Sequence, residues 1–195
     1  RHNGLDLRTA PAAAIERAVE LDPTNLEYLR TRADLSAWRG DYAMALDSHQ
    51  RILAIAPDDA GARLGIARVN YWRSELDDSA VAYREYLALQ PNVAAPWMEY
   101  IVVVTELGDY AQAMELLEDY RVKFDDNVAY RKQKARVLAW AERPTPALGL
   151  VAELEPTLPD DYELGYTKTV ALHHAHRPSD ALDSLAGVTR LRPDS

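Results

Sequence analysis

The sequence predicts an all-α fold: a right-handed α-α superhelix of five full 34-residue repeats plus a partial N-terminal one. Three observations predict it. Prolines recur at Pro23, Pro57, Pro91, Pro159 and Pro193, in steps of 34, 34, 68 and 34 residues, and no insertion breaks the register. Small residues return at one fixed place in every unit and at a second in four of the five, and larger residues return at two others. The one vacancy in the proline series falls at Asp125.

The elements follow in order. Residues 1–25 form the partial unit. Within it, residues 9–22 read as the second helix of a pair, with Thr9 as its cap and Pro11 in its first turn. The full units span 26–59, 60–93, 94–127, 128–161 and 162–195. Each carries two helical segments, at roughly unit positions 2–14 and 18–31, joined by a tight turn. Position 20 holds Ala45, Ser79, Ala113, Ala147 and Ala181; position 8 holds Ala33, Ala67, Ile101, Ala135 and Thr169. Small side chains there let the two backbones approach. Position 24 (His49, Tyr83, Leu117, Val151, Leu185) and position 27 (Ile52, Tyr86, Tyr120, Leu154, Val188) are expected to plug against the next unit, because one helix pair cannot bury its apolar face alone. Asp58-Asp59, Asn92, Asp126-Asn127 and Asp160-Asp161 follow each unit's end and are expected to cap the next helix. Their recurrence at every junction favours capping over calcium binding. The fourth unit is irregular. Pro144 and Pro146 suit a first helical turn, whereas Pro156 ends that helix near Glu155.

Composition narrows the chemistry. The chain has 195 residues, a net charge of −9 and no cysteine, which excludes disulfides, thiolate metal sites and thiol catalysis. The acidic balance argues against a nucleic-acid partner, which needs a cationic footprint. No apolar run reaches the roughly 20 residues of a membrane helix. No glycine-rich phosphate loop, HExxH pair or nucleophile elbow occurs, so no catalytic residue, metal site or cofactor is assigned. His173 and His176 could share a helix face, but no second cluster completes a coordination set. No polar capping helix follows the fifth unit, so the chain reads as a segment cut from a longer array.

The stretches Trp38-Arg39-Gly40-Asp41-Tyr42-Ala43-Met44-Ala45, closed by Pro57, and Leu107-Gly108-Asp109-Tyr110-Ala111-Gln112-Ala113 resemble the tetratricopeptide repeat (TPR) family. The resemblance covers residues 26–193 and implies a single TPR solenoid over 1–195. It also implies that unit positions 2, 5, 9, 12 and 13 line a concave groove. The groove residues singled out on that basis are Arg30, Asp34, Trp38, Arg68, Tyr71, Trp72, Lys132, Arg136, Trp140, Tyr166 and His173. Trp38, Trp72 and Trp140 share unit position 13, and two readings of them stand open. They either pack against turn and neighbouring helix as a repeat feature, or form an aromatic ladder flanked by Arg30, Arg68, Lys132 and Arg136.

Within the family, the clamp for a C-terminal carboxylate needs lysine, asparagine and arginine at set positions; Arg30 with Asp34, Leu64 with Arg68, and Met98 with Val102 fit no frame of it. Residues 67–73, 82–91 and 135–141 look like arrays from the periplasmic portion of bacterial outer-membrane exopolysaccharide export proteins, of the Pel, poly-N-acetylglucosamine and cellulose systems. That resemblance implies a non-catalytic periplasmic scaffold, part of an outer-membrane protein. Its partners would be a protein such as a periplasmic deacetylase or hydrolase, and a polysaccharide. The alternative is a cytosolic adaptor holding a peptide or helix in its groove.

Overall fold

The computed structural model describes residues 10–191. Among them lie eleven α-helices and no strand. A single helix, α1 (Ala10–Leu21), precedes five helix pairs: α2 (Leu26–Trp38) with α3 (Tyr42–Ile55), α4 (Ala60–Trp72) with α5 (Leu76–Leu89), α6 (Ala94–Glu106) with α7 (Tyr110–Phe124), α8 (Val128–Trp140) with α9 (Pro144–Leu154), and α10 (Tyr162–His174) with α11 (Pro178–Leu191). Thr9, expected to cap α1, and Pro193, the last member of the proline series, lie outside the described residues. The helices fall into two compact units that divide between Asn92 and Val93. α1–α5 build the first and α6–α11 the second.

Every pair closes through one turn geometry. The residue at position 15 takes a positive φ in all five: Gly40 (79°), Ser74 (62°), Gly108 (80°), Glu142 (54°) and His176 (56°). Its N–H donates to a carbonyl three residues back, and the next N–H to one five back. In the first pair these bonds are Gly40 to Ala37 at 3.0 Å and Asp41 to Ser36 at 2.8 Å. This double bond satisfies carbonyls that a helix end otherwise leaves open.

The starts of the first helices are capped as expected at three junctions. Asp59 accepts from the Ala62 N–H, Asn127 from Tyr130 and Asp161 from Leu164, at 2.8, 3.0 and 2.8 Å. Asn25 does the same before α2. Asn92 does not: α6 begins at Ala94, in register with the other first helices, so Asn92 stands one residue too early and the capping position is Val93, whose side chain offers no acceptor. The expectation for the fourth unit holds. Pro144 opens α9 and the helix stops at Leu154.

Packing follows the register. Ala33, Ala67, Ile101 and Ala135 at position 8 and Ala45, Ser79, Ala113 and Ala147 at position 20 are fully buried. Ser79 keeps its hydroxyl satisfied by donating to the Ala67 carbonyl at 2.8 Å. Position 27 is buried in every unit. In the first unit Val19, Leu29, Ile52 and Ala62 form one core cluster; in the second, Ala135, Val151, Leu154 and Leu164 form another. Leu185, at position 24 of the last pair, stays partly exposed.

α1 is tied in by a buried cation. Arg32 donates through Nε to the Ser48 hydroxyl at 2.7 Å and through a terminal nitrogen to Asp47, and lies 3.7 Å from Glu16 of α1. A buried guanidinium is tolerable because each partner is supplied.

Candidate functional site

The first helices of the second unit carry an open trough of about 530 Å3. Because 34 residues restore the same helix face in each repeat, α6, α8 and α10 present equivalent positions side by side. Met98 and Val102 of α6 and Val128 and Ala129 of α8 supply apolar surface, and Lys132 and Arg136 stand beside them. The Gln133 Nε2, buried at the same place, has no hydrogen-bond partner.

Both cations are already engaged. Lys132 Nζ lies 2.8 Å from Asp161 and 2.7 Å from Glu163. Burial pushes the Lys132 ammonium down, but its bonds to these two carboxylates outweigh that and hold it above the ordinary lysine value. Burial likewise pushes Asp161 up, and the hydrogen bonds from Lys132 and the Leu164 N–H bring it below the ordinary aspartate value. Arg136 donates to Glu106 at 3.0 Å, and its guanidinium sits 5.6 Å over the Trp140 ring. Trp140 in turn meets Tyr166 at 5.7 Å, and Tyr166 stacks parallel on Tyr162 at 6.5 Å. Both groove cations are thus paired with acids of their own chain.

The first unit repeats this. Arg30 binds Asp59, the cap of α4. Burial raises Asp59, while the Ala62 N–H and Arg30 together hold it below its ordinary value. Arg68 and Tyr71 are half-buried, and Asp34 is exposed on α2. Trp38 is 71% exposed and Trp72 49%, so neither belongs to the core. Trp72 has a ring neighbour in Tyr42, 6.2 Å away, and Trp140 is half-buried among aromatic and aliphatic partners. The three tryptophans share a register position and not an environment. Tyr166 and His173 line a separate shallow hollow with Val170, Leu182 and Leu185. The His173 ring meets His174 edge to face at 5.4 Å. Among the described residues no group of three or more His, Asp or Glu side chains gathers as metal ligands would. None of their helices is long and apolar enough to cross a membrane.

Sequence reasoning placed Lys132, Arg136, Tyr166 and His173 on ligand-accessible faces and passed over Gln133, Val128 and Asp161. Asp161 reads in the sequence as a cap. Its 29-residue spacing from Lys132, repeated between Arg30 and Asp59, is the signal that marks it also as a wall of the trough.

No family model matches the chain. A curated relative, general transcription factor 3C polypeptide 3 of Homo sapiens, is 29% identical over 53% of this chain and 12% of its own length. The N-terminal acetyltransferase A complex auxiliary subunit NAA15 of Arabidopsis thaliana is 24% identical over 80% of this chain and 19% of its own. The chain thus spans less than a fifth of either relative. Among solved structures, a tetratricopeptide repeat protein from Parabacteroides merdae superposes with a TM-score of 0.84 at 14% identity, over 95% of this chain and 77% of that one. The type IV pilus biogenesis factor PilW gives 0.75 at 17% identity, over 96% and 87%. YrrB, described as a TPR protein with an unusual peptide-binding site, gives 0.67 at 18%, over 94% of each chain. The fold is that of the tetratricopeptide repeat.

Proposed function

We propose that the chain is a non-catalytic scaffold whose α6–α8–α10 trough holds a segment of a partner protein. One observation carries this reading: the trough offers apolar floor at Met98, Val102, Val128 and Ala129, while its cations are neutralised by Asp161, Glu163 and Glu106. Such a surface recognises an apolar anchor set in a polar frame. It does not offer an unpaired cation to a terminal carboxylate. A random dodecapeptide library panned against the chain tests it. The expected binders carry one or two large apolar residues and lose affinity at least tenfold on Val102→Asp. Binders indifferent to Val102→Asp overturn the reading, and so does the absence of any binder.

A second reading is a periplasmic place in exopolysaccharide export, with a docked deacetylase or hydrolase. The net charge of −9 is compatible with it, because an acidic scaffold attracts a partly deacetylated, cationic amino-sugar polymer through its long-range field, as it equally attracts a basic protein. Weak, salt-sensitive binding of glucosamine oligomers supports this reading, and no binding at low salt removes it.

A further inference from the structure

The first unit exposes a second surface that the trough does not use. Trp38 ends α2 and Trp72 ends α4, one repeat apart at the same register position. Neighbouring helix axes pack about 8–10 Å apart, so the two indoles stand on one edge of the first unit, beside the turns into α3 and α5. Trp72 is held by Tyr42, the first residue of α3, at 6.2 Å with the rings tilted by 32°. Even so it remains half exposed, and Trp38 is nearly three-quarters exposed. An indole left in water forgoes the burial that makes tryptophan stabilising elsewhere, as it does for the buried Trp97. The charges along this edge are lopsided. Asp41, Glu75, Asp77 and Asp78 are all exposed there, against Arg39 and Arg73. Arg73 is itself 4.0 Å from Glu75.

We propose that the Trp38–Tyr42–Trp72 edge docks a basic segment of a partner protein, with arginine or lysine side chains seated on the two indole faces and the segment's charge met by Asp41, Glu75, Asp77 and Asp78. The indole face is the strongest aromatic seat for a cation, and the carboxylates favour the same sign of charge on the incoming chain. An acidic segment would meet repulsion from four carboxylates, and a purely apolar one would leave them without complement. This surface lies in the first unit and is independent of the trough in the second.

Calorimetry on the full chain tests the proposal, with an acetylated, amidated peptide of four Arg-Ala-Leu repeats and its Glu-Ala-Leu counterpart as probes. The arginine peptide is expected to bind and the glutamate peptide not. Trp38→Ala and Trp72→Ala are each expected to weaken binding threefold or more, and the double variant tenfold or more. Trp140→Ala and Val102→Asp are expected to leave it unchanged, which separates this surface from the trough. Because Trp38 is exposed, Trp38→Ala keeps the wild-type thermal midpoint, so its effect reads as binding. Equal binding by the double tryptophan variant would reduce the effect to plain charge attraction and overturn the proposal. Failure of the arginine peptide to bind would also overturn it, as would tighter tryptophan-dependent binding of a neutral N-acetylglucosamine hexamer.

Discussion

Lys132 and Asp161 sit 2.8 Å apart across 29 residues of chain, and Arg30 and Asp59 repeat the pairing at the same two register positions. Each aspartate does two jobs. It caps the helix that follows and grips a cation on the first helix of the preceding pair. The two roles separate by mutation. Asp161→Asn keeps an acceptor for the Leu164 N–H, since asparagine caps as well as aspartate, and loses the charge; the expected cost is below about 1 kcal/mol, given the partial exposure of the pair. Asp161→Ala loses both and is expected to cost about 1–2 kcal/mol. Urea unfolding of the two variants measures the difference. Both Asp59 and Asp161 have folded pKa values below the ordinary 3.8. Their contribution is therefore complete above that value and is lost as pH falls through the folded ones.

His49 predicts an earlier acid loss. It occupies position 24, where other units hold tyrosine, leucine or valine, and is 7% exposed with an unpartnered Nδ1. Burial pushes its pKa down, and the carboxylates of Asp34 and Asp59 recover part of that shift; the net value stays below the ordinary 6.5. The folded chain thus prefers neutral His49. Stability is expected to be full above pH 6.5 and to decline as pH falls from 6.5 toward the folded value. His49→Leu is expected to flatten the stability profile in this window while leaving the carboxylate-driven loss at lower pH. A variant that keeps the wild-type slope would show that another group carries it.

The ring of His49 also explains a glycine. A methyl group on Gly65 would come within 2.2 Å of His49 Cε1 and Nε2. Gly65→Ala is expected to destabilise by about 1–3 kcal/mol, as overpacking does. Adding His49→Ala should recover part of the loss, and a double-mutant cycle in urea reads the coupling.

Much of this was legible beforehand because it depends on period alone. Small residues at positions 8 and 20 must be buried wherever two helices of a pair cross, and Pro156 must stop α9. What depends on neighbours was not legible. The indoles of Trp38, Trp72 and Trp140 look identical in register, yet Trp140 gains Arg136 and Tyr166 as ring partners while Trp38 stays exposed. Arg30 and Lys132 read as groove residues and Asp59 and Asp161 as caps, but their pairing depends on how neighbouring repeats stack. Asn92 misled because a residue suited to capping stood one place before the position that required it.

Position 15 is a further case. Gly40 and Gly108 announce a left-handed turn, but Ser74, Glu142 and His176 adopt the same conformation without the residue that suits it. A side chain at positive φ costs of order 1 kcal/mol. Glu142→Gly and His176→Gly are therefore each expected to stabilise the chain by about 0.5–1 kcal/mol, after the extra freedom glycine gives the unfolded state. Gly108→Ala is expected to cost a similar amount, because no atom lies within 4 Å of the added methyl and the penalty is conformational alone. Denaturant midpoints of the three variants check both signs.

The gap in the proline series has the same origin. Asp125 stands where four other units carry proline, and repairing the pattern with Asp125→Pro looks conservative. The backbone forbids it. Asp125 has φ 67°, and its N–H donates to the Arg121 carbonyl at 3.0 Å, closing the end of α7. Proline is held near φ −65° and has no N–H. Asp125→Pro is expected to destabilise by about 3 kcal/mol or more, through the forced change of φ and the loss of that bond. Asp125→Gly, which accepts the conformation, is expected to be neutral or stabilising. Thermal unfolding of the pair decides between conformation and pattern: a proline variant as stable as the wild type would mean that the junction after α7 can relax into the geometry used by the other units.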